Sequence, residues 1–267
     1  MNVNDILAYR RYLTGHDENI KAYHFIQTAA NISQAKELKD DANLVFKQVA
    51  HCFDSGLYKK YYNENISENP MPLDTIFNDF NFPERLRWVK RKLREQKAET
   101  VLDLGCSEGS YALNIAKEGY NVTGVNLFTN SIKIANERAV QLELADRARF
   151  IQSDIMEFES EKKFDAVLLF EVIEHVPDPK ALVEKMVSLI EPDGVCYIST
   201  PNGTADFKAS MFGVDQEDAA HFQFKGHVRV FTEESIRELL KDYEVLEVMI
   251  KQEGIFSLMH VAFRRKH

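Results

Sequence analysis

The chain has 267 residues, 45% of them hydrophobic, and a formal net charge of −9. That content suffices for one substantial core, in one domain or two, and no apolar stretch approaches the roughly 18 residues a membrane span needs. The negative balance argues against a large basic footprint for nucleic acid, whose phosphates call for clustered Lys and Arg.

Three scattered cysteines, Cys52, Cys106 and Cys196, form no disulfide framework and predict a reducing, cytoplasmic setting. The opening MNVNDILAYRRYLTGHDEN lacks the charged-then-apolar pattern of a secretory signal. Residues 1–80 are polar, aromatic-rich and mainly helical in pattern. They are expected to cover a substrate or to mediate oligomerisation. Within them DANLVFKQVAHCF (41–53) places Leu44, Val45, Val49 and Phe53 on one helical face, and NENISENPMPLD (63–74) reads as a turn-rich connection. RLRWVKRKLREQK (85–97) sets Leu86, Val89 and Leu93 at helical spacing, which predicts an amphipathic helix with a solvated basic face.

From residue 98 strands and helices alternate. TVLDLG (100–105) is a strand ending in glycine, and SYALNIAKEG (110–119) is a helix stopped by Gly119. NVTGVN (121–126) is a second strand, and 129–144 is a helix with Ile132, Ala135 and Ala139 on one face. Strands are expected over 147–154 and 163–171, and a helix over 179–194 that a Pro-Asp-Gly turn ends. A strand over 194–202, a helix opened by Thr232 (232–243) and two strands around Glu253-Gly254 complete the chain. Repeated strand–helix–strand units mean parallel strands with helical crossovers, and ligands in such sheets sit beyond the strands' C-terminal ends.

VLDLGCSEGS (101–110) places Gly105 and Gly109 between strand and helix, with Asp103 at the strand's end. Glycine permits tight turning and close backbone approach to a ligand. The spacing fits neither G-x-G-x-x-G nor a P-loop. A carboxylate at position 103 can accept hydrogen bonds from a cationic amino group or from backbone N–H groups.

The stretch resembles the first motif of class I S-adenosylmethionine-dependent methyltransferases, with Ser107 where many members have the middle glycine. FIQSDIMEF (150–158), FDAVLLFEVIEHVPDP (164–179) and LIEPDGVCYISTPN (189–202) resemble later motifs of the same family, in the same order. The resemblance implies an α/β fold, Rossmann-like and doubly wound, with a mostly parallel seven-stranded sheet in a domain spanning 81–267. It implies that S-adenosylmethionine is met by Asp103, Gly105, Cys106, Ser107, Gly109, Asn126, Leu127, Asp154, Ile155 and Phe170. Asp154 would meet the adenine amino group, with Ile155 beside the ring. Asn126 stands where the family's second strand normally ends in a carboxylate that binds the ribose hydroxyls. Because hydrogen bonds to charged groups are the stronger kind, weaker cofactor affinity is expected than in a carboxylate version.

After Val167–Phe170 come Glu171, Glu174 and His175, spaced to converge on one helical turn. Three roles compete: capping and solvation, general acid–base catalysis by His175, and a divalent metal site for Mg²⁺, Mn²⁺ or Zn²⁺. The pattern E-x-x-E-H with a later H-x-x-x-F resembles the ubiquinone-biosynthesis O-methyltransferases. It is also similar to the small-RNA 3′-terminal 2′-O-methyltransferases, in which such residues hold a metal. That resemblance implies Glu171, Glu174, His175 and His227 as ligands, with His221 a weaker candidate. Residues 203–229 are expected to be an acceptor-site insertion. The leading expectation is methylation of a small hydroxylated molecule or sugar. RNA 2′-O-methylation and a non-catalytic cofactor-binding module are the alternatives.

Overall fold

The computed structural model describes residue 73 and residues 75–78, 83–176, 178–202, 231–253 and 256–266. The expected helix over 41–53 and the insertion with His221 and His227 lie outside the described residues. The chain divides into two units. One comprises Ile66–Ile173, Asp178–Asn202 and Glu233–His267; the other comprises Met1–Asn65, Glu174–Pro177 and Gly203–Thr232.

In the first unit, α1 (Thr75–Asn78) and α2 (Pro83–Gln96) precede β1 (Thr100–Leu104), α3 (Ser110–Ala116) and β2 (Asn121–Asn126). Then come α4 (Thr129–Gln141), β3 (Ala148–Gln152), β4 (Phe164–Phe170), α5 (Pro179–Leu189) and β5 (Ile190–Pro201). The chain closes with α6 (Glu233–Leu239), β6 (Glu244–Glu253) and β7 (Phe256–Arg264). The seven strands form one sheet in the order β3-β2-β1-β4-β5-β7-β6. β1 to β5 are parallel, and β7 runs antiparallel to both β5 and β6. The expected seven-stranded, mostly parallel architecture is what the chain forms.

The sequence explains the layering. β1 and β4 are nearly continuous apolar runs, buried along their length, as strands covered on both faces must be. From β1 the chain moves outward through β2 to β3, then returns to place β4 on the other side of β1. The connections that leave β1 and β4 therefore run to opposite sides, the switch in strand order beyond which ligands of such sheets bind. Helix α2 lays Trp88, Val89 and Leu93 into the core, with Trp88 edge-on to Tyr197 of β5 at 5.5 Å. Asp178 caps α5 by accepting the Ala181 N–H at 3.0 Å, and Pro179 occupies the first turn.

One boundary differs from the sequence reading. α5 ends at Leu189, and β5 starts at Ile190 rather than after the Pro-Asp-Gly turn. Ile190 pairs with Phe164 and Val195 with Ala166, so four residues bulge where the facing strand has one. Burial of both Ile190 and Phe164 draws the chain into the sheet before the turn residues arrive.

The sheet also sets a packing limit at Gly124 of β2. A Cβ there would stand 2.5 Å from a ring carbon of Phe150 and 2.9 Å from the Cys106 sulfur. Gly124→Ala is expected to cost about 1–3 kcal/mol, the usual range for overpacking. Combining it with Phe150→Leu should recover part of that loss, as a urea-denaturation double-mutant cycle will show.

Candidate functional site

The exit of β1 turns three times through left-handed backbone: Gly105 at φ 81°, Ser107 at φ 49° and Gly109 at φ 82°. Gly105 and Cys106 both donate their N–H to the Val125 carbonyl, at 2.8 and 3.1 Å, which ties the loop to β2. Arg138 of α4 holds the far side, donating to the Glu108 carbonyl at 3.0 Å and pairing with its carboxylate at 2.9 Å. A Cβ on Gly105 would overlap Val172, and one on Gly109 would lie 2.7 Å from the Phe150 ring. Both glycines are thus required by conformation and by space. Ser107 takes a left-handed conformation that costs a non-glycine residue roughly 1–2 kcal/mol.

Asp103 is buried behind this loop, and its Oδ2 has no hydrogen-bond partner. Burial pushes its carboxyl up from 3.8 to about 7, against the opposing pull of the Arg85 charge and the Ala112 N–H. The same burial, with Asp103 adding to it, holds the Cys106 thiol well above its usual range. A buried carboxyl oxygen without a donor, beside a loop that only glycine can form, fits the cationic methionine end of S-adenosylmethionine.

The other residues expected to bind the cofactor are spread along the same rim. Asn126 is buried at the end of β2, followed by half-buried Leu127, and its carbonyl accepts the Ser153 N–H at 3.0 Å. Asp154 and Ile155 are half-buried just past β3, where Asp154 Oδ1 accepts the Met156 N–H at 3.0 Å. Phe170 ends β4 and meets Tyr111 of α3 edge-on at 5.1 Å. Sheet order, rather than sequence proximity, brings the ends of β1, β2 and β4 side by side.

Glu171 leaves β4 in a left-handed conformation, φ 55°, and donates its N–H to the Ser199 carbonyl at 2.9 Å. Its Oε1 accepts Arg85 Nη1 at 2.7 Å and the Ser199 hydroxyl at 3.1 Å. Arg85 also donates Nε to the Tyr111 hydroxyl at 2.5 Å, and its guanidinium lies over the rings of Tyr111 and Phe170. It is 3% exposed, so this one basic residue departs from the solvated basic face expected of the helix. The reason is positional: Arg85 precedes Trp88 and Val89 by three and four residues, on the face that enters the core. That spacing was the available signal. His260 of β7, unnoticed in an apolar strand, is fully buried, with its ring 5.1 Å from Trp88. Burial first, then the Arg85 charge, lowers its pKa from 6.5 to about 3.

Ile173–His175 form one 3₁₀ turn after β4, in which Glu174 is buried and His175 half-buried. Glu174 and His175 fall in the other unit, as does His227, which lies outside the described residues. Among the described residues, no three His, Cys, Asp or Glu side chains gather as a metal-holding group. Glu171 does not fit a divalent cation here, since a buried guanidinium already neutralises it at 2.7 Å.

A family model described as a methyltransferase domain matches residues 77–245. Among curated proteins, the ubiquinone biosynthesis O-methyltransferase of Psychrobacter cryohalolentis is 35% identical over 136 residues, covering 45% of this chain and 53% of the relative. That of Rickettsia bellii is 32% identical over 136 residues, covering 49% and 55%. The chain thus spans about half the length of the curated relatives it matches. Among solved structures, the magnesium protoporphyrin IX methyltransferase of Synechocystis with bound S-adenosylhomocysteine superposes with a TM-score of 0.58 at 16% identity, over 82% of this chain and 99% of that one. The N-methyltransferase NodS of Bradyrhizobium japonicum, also with S-adenosylhomocysteine, gives 0.58 at 18% identity, over 79% and 98%. At these identities the structural likeness establishes the fold alone.

Two stability measurements probe the rim. Arg85→Met leaves Glu171 without its cation. It should cost near the low end of the roughly 3–5 kcal/mol typical of broken buried pairs, because Glu171 is partly exposed. Adding Glu171→Gln should restore part of this in denaturant titrations. The second is a pH series on cofactor-free protein. Asp103 is raised on folding, so its contribution is present below pH 3.8 and is lost as pH rises towards about 7. His260 is depressed on folding, so its contribution is present above pH 6.5 and is lost as pH falls towards about 3. The two oppose one another, and Asp103→Asn should expose a steeper acid-side loss than the wild type shows.

Proposed function

Because this chain belongs to the methyltransferase-domain family, we propose that it moves a methyl group from S-adenosylmethionine to an oxygen of a small hydroxylated molecule. The observation that carries the reading is the cradle from Asp103 to Gly109: a buried carboxyl oxygen lacking a donor, behind a loop in which two glycines have no room for a Cβ. Relatives named for O-methylation support an oxygen acceptor.

S-adenosylmethionine supplies a methyl group made electrophilic by its sulfonium. The chain's own part is to hold and align. Gly105 and Gly109 let the backbone approach closely, and Asp103 accepts the ammonium. Asn126 accepts a ribose hydroxyl with a neutral oxygen, and Asp154 and Ile155 take the adenine. Binding energy at these remote points fixes the donor so that the acceptor oxygen arrives in line, and that alignment supplies much of the rate. His175, on the half-buried turn beyond β4, is the group assigned to accept the acceptor's proton, since imidazole is the side chain chemically suited to proton transfer near neutral pH. Glu171 is left to Arg85. Residues 1–80 and 203–229 are assigned to the acceptor pocket and its cover.

Purified protein incubated with methyl-labelled S-adenosylmethionine and a panel of phenols and polyols should label one acceptor class at oxygen. If folded protein showed no calorimetric binding of S-adenosylhomocysteine, the reading would fall. His175→Gln should lower kcat by about 10²–10⁴-fold, the usual worth of a positioned base, while the KM for the donor stays unchanged. Asn126→Asp should tighten donor binding roughly fivefold, from about 1 kcal/mol gained when a neutral hydrogen bond becomes charge-assisted. An unchanged affinity would remove Asn126 from the ribose site.

A further inference from the structure

The donor-binding reading leaves a charge problem at Asp103, and its resolution gives a property of the site beyond binding itself. Asp103 is 3% exposed in the middle of the sheet, and its strand neighbours, Gly124 of β2 and Leu168 of β4, carry no charge. Arg85 from α2 is the cation acting on it, but that guanidinium already pairs with Glu171 at 2.7 Å and donates to Tyr111 and Ser199. Cys106 in the loop is the other titratable neighbour; burial and Asp103 itself both keep it a neutral thiol. An ionised Asp103 would therefore be a buried anion sharing, with the partly exposed Glu171, one committed cation, while its Oδ2 faces no donor.

We propose that Asp103 exchanges a proton for the donor's ammonium: the free protein holds a carboxylic acid, and binding the methionine end of S-adenosylmethionine or S-adenosylhomocysteine releases that proton to solvent. Charge balances on both sides. A neutral acid plus a free ammonium becomes a carboxylate–ammonium pair plus one aqueous proton. The arriving cation also supplies the hydrogen-bond donor that Oδ2 lacks. This rests on the donor-binding reading above. It turns the site into one whose affinity depends on pH below neutrality although none of the other proposed cofactor-binding residues is a histidine.

With the acid titrating at about 7 when free, linkage gives the expected numbers. Titration of S-adenosylhomocysteine into the full chain at pH 6, in two buffers of different ionisation enthalpy, should release about 0.9 proton per site, falling to about a quarter by pH 7.5. Affinity should rise about fivefold between pH 6 and pH 7. Asp103→Asn should bind more weakly, release no proton and lose the pH dependence. Should that variant fail to fold, an infrared difference spectrum of the wild type carries the test, since binding must remove a protonated-carboxyl C=O band. Binding at pH 6 with no proton released, or with the band retained, would overturn the exchange while leaving donor binding intact. An absence of binding heat across temperatures, with no competition for labelled donor, would overturn both.

Discussion

The buried guanidinium of Arg85 organises the Glu171 side of the sheet's upper rim. Arg85 enters from α2 and reaches Glu171 at the end of β4, Ser199 in β5 and Tyr111 at the start of α3. Three elements that are distant in sequence are thereby joined through one guanidinium, whose planar fork can serve several acceptors at fixed angles. A lysine could not do this from the same backbone. Once Arg85 and Glu171 have cancelled, the surroundings accept little further charge of either sign. Asp103 is pushed towards its neutral form and His260 is held neutral. Both shifts follow first from burial; the Arg85 charge then opposes the rise at Asp103 and adds to the fall at His260.

The sheet decides why this cluster matters. Because β1 and β4 are neighbours while their connections run to opposite sides, the glycine loop and the Glu171 turn border the same switch in strand order. Left-handed backbone occurs on both sides of it, at Ser107 and at Glu171. Such conformations persist where surrounding bonds over-determine them. Ser107 lies between loop segments tied to Val125 and to Arg138, and Glu171 is held by Ser199 and Arg85.

Much of this architecture was legible in the residues. Continuous apolar runs in TVLDL and FDAVLLF marked buried parallel strands, and the glycines at 105 and 109 marked the turn that the space around them demands. What was not legible had a common cause, namely that it depends on contacts between distant segments. The helical pattern of 85–97 sets Arg85 on the face of Trp88 and Val89, but the acid that meets it there, Glu171, lies far along the sequence and no local pattern points to it. The early start of β5 reflects the pairing of Ile190 with Phe164, which no local turn signal encodes. His260 sat inside an apolar strand and offered no period to read.

The same dependence on distant contacts separates the two halves of the Glu171–Glu174–His175 motif. Three residues of chain suggested a shared task, yet their surroundings differ. Glu171 is committed to Arg85 and Ser199, inside the unit built around the sheet. Glu174 and His175 group with the other unit, along with the stretch that contains His227. A carboxylate whose charge is already matched has little left with which to polarise a substrate, whereas it can fix the loop that carries the next two side chains. The motif is better understood as an anchor, Glu171, followed by the residues it presents.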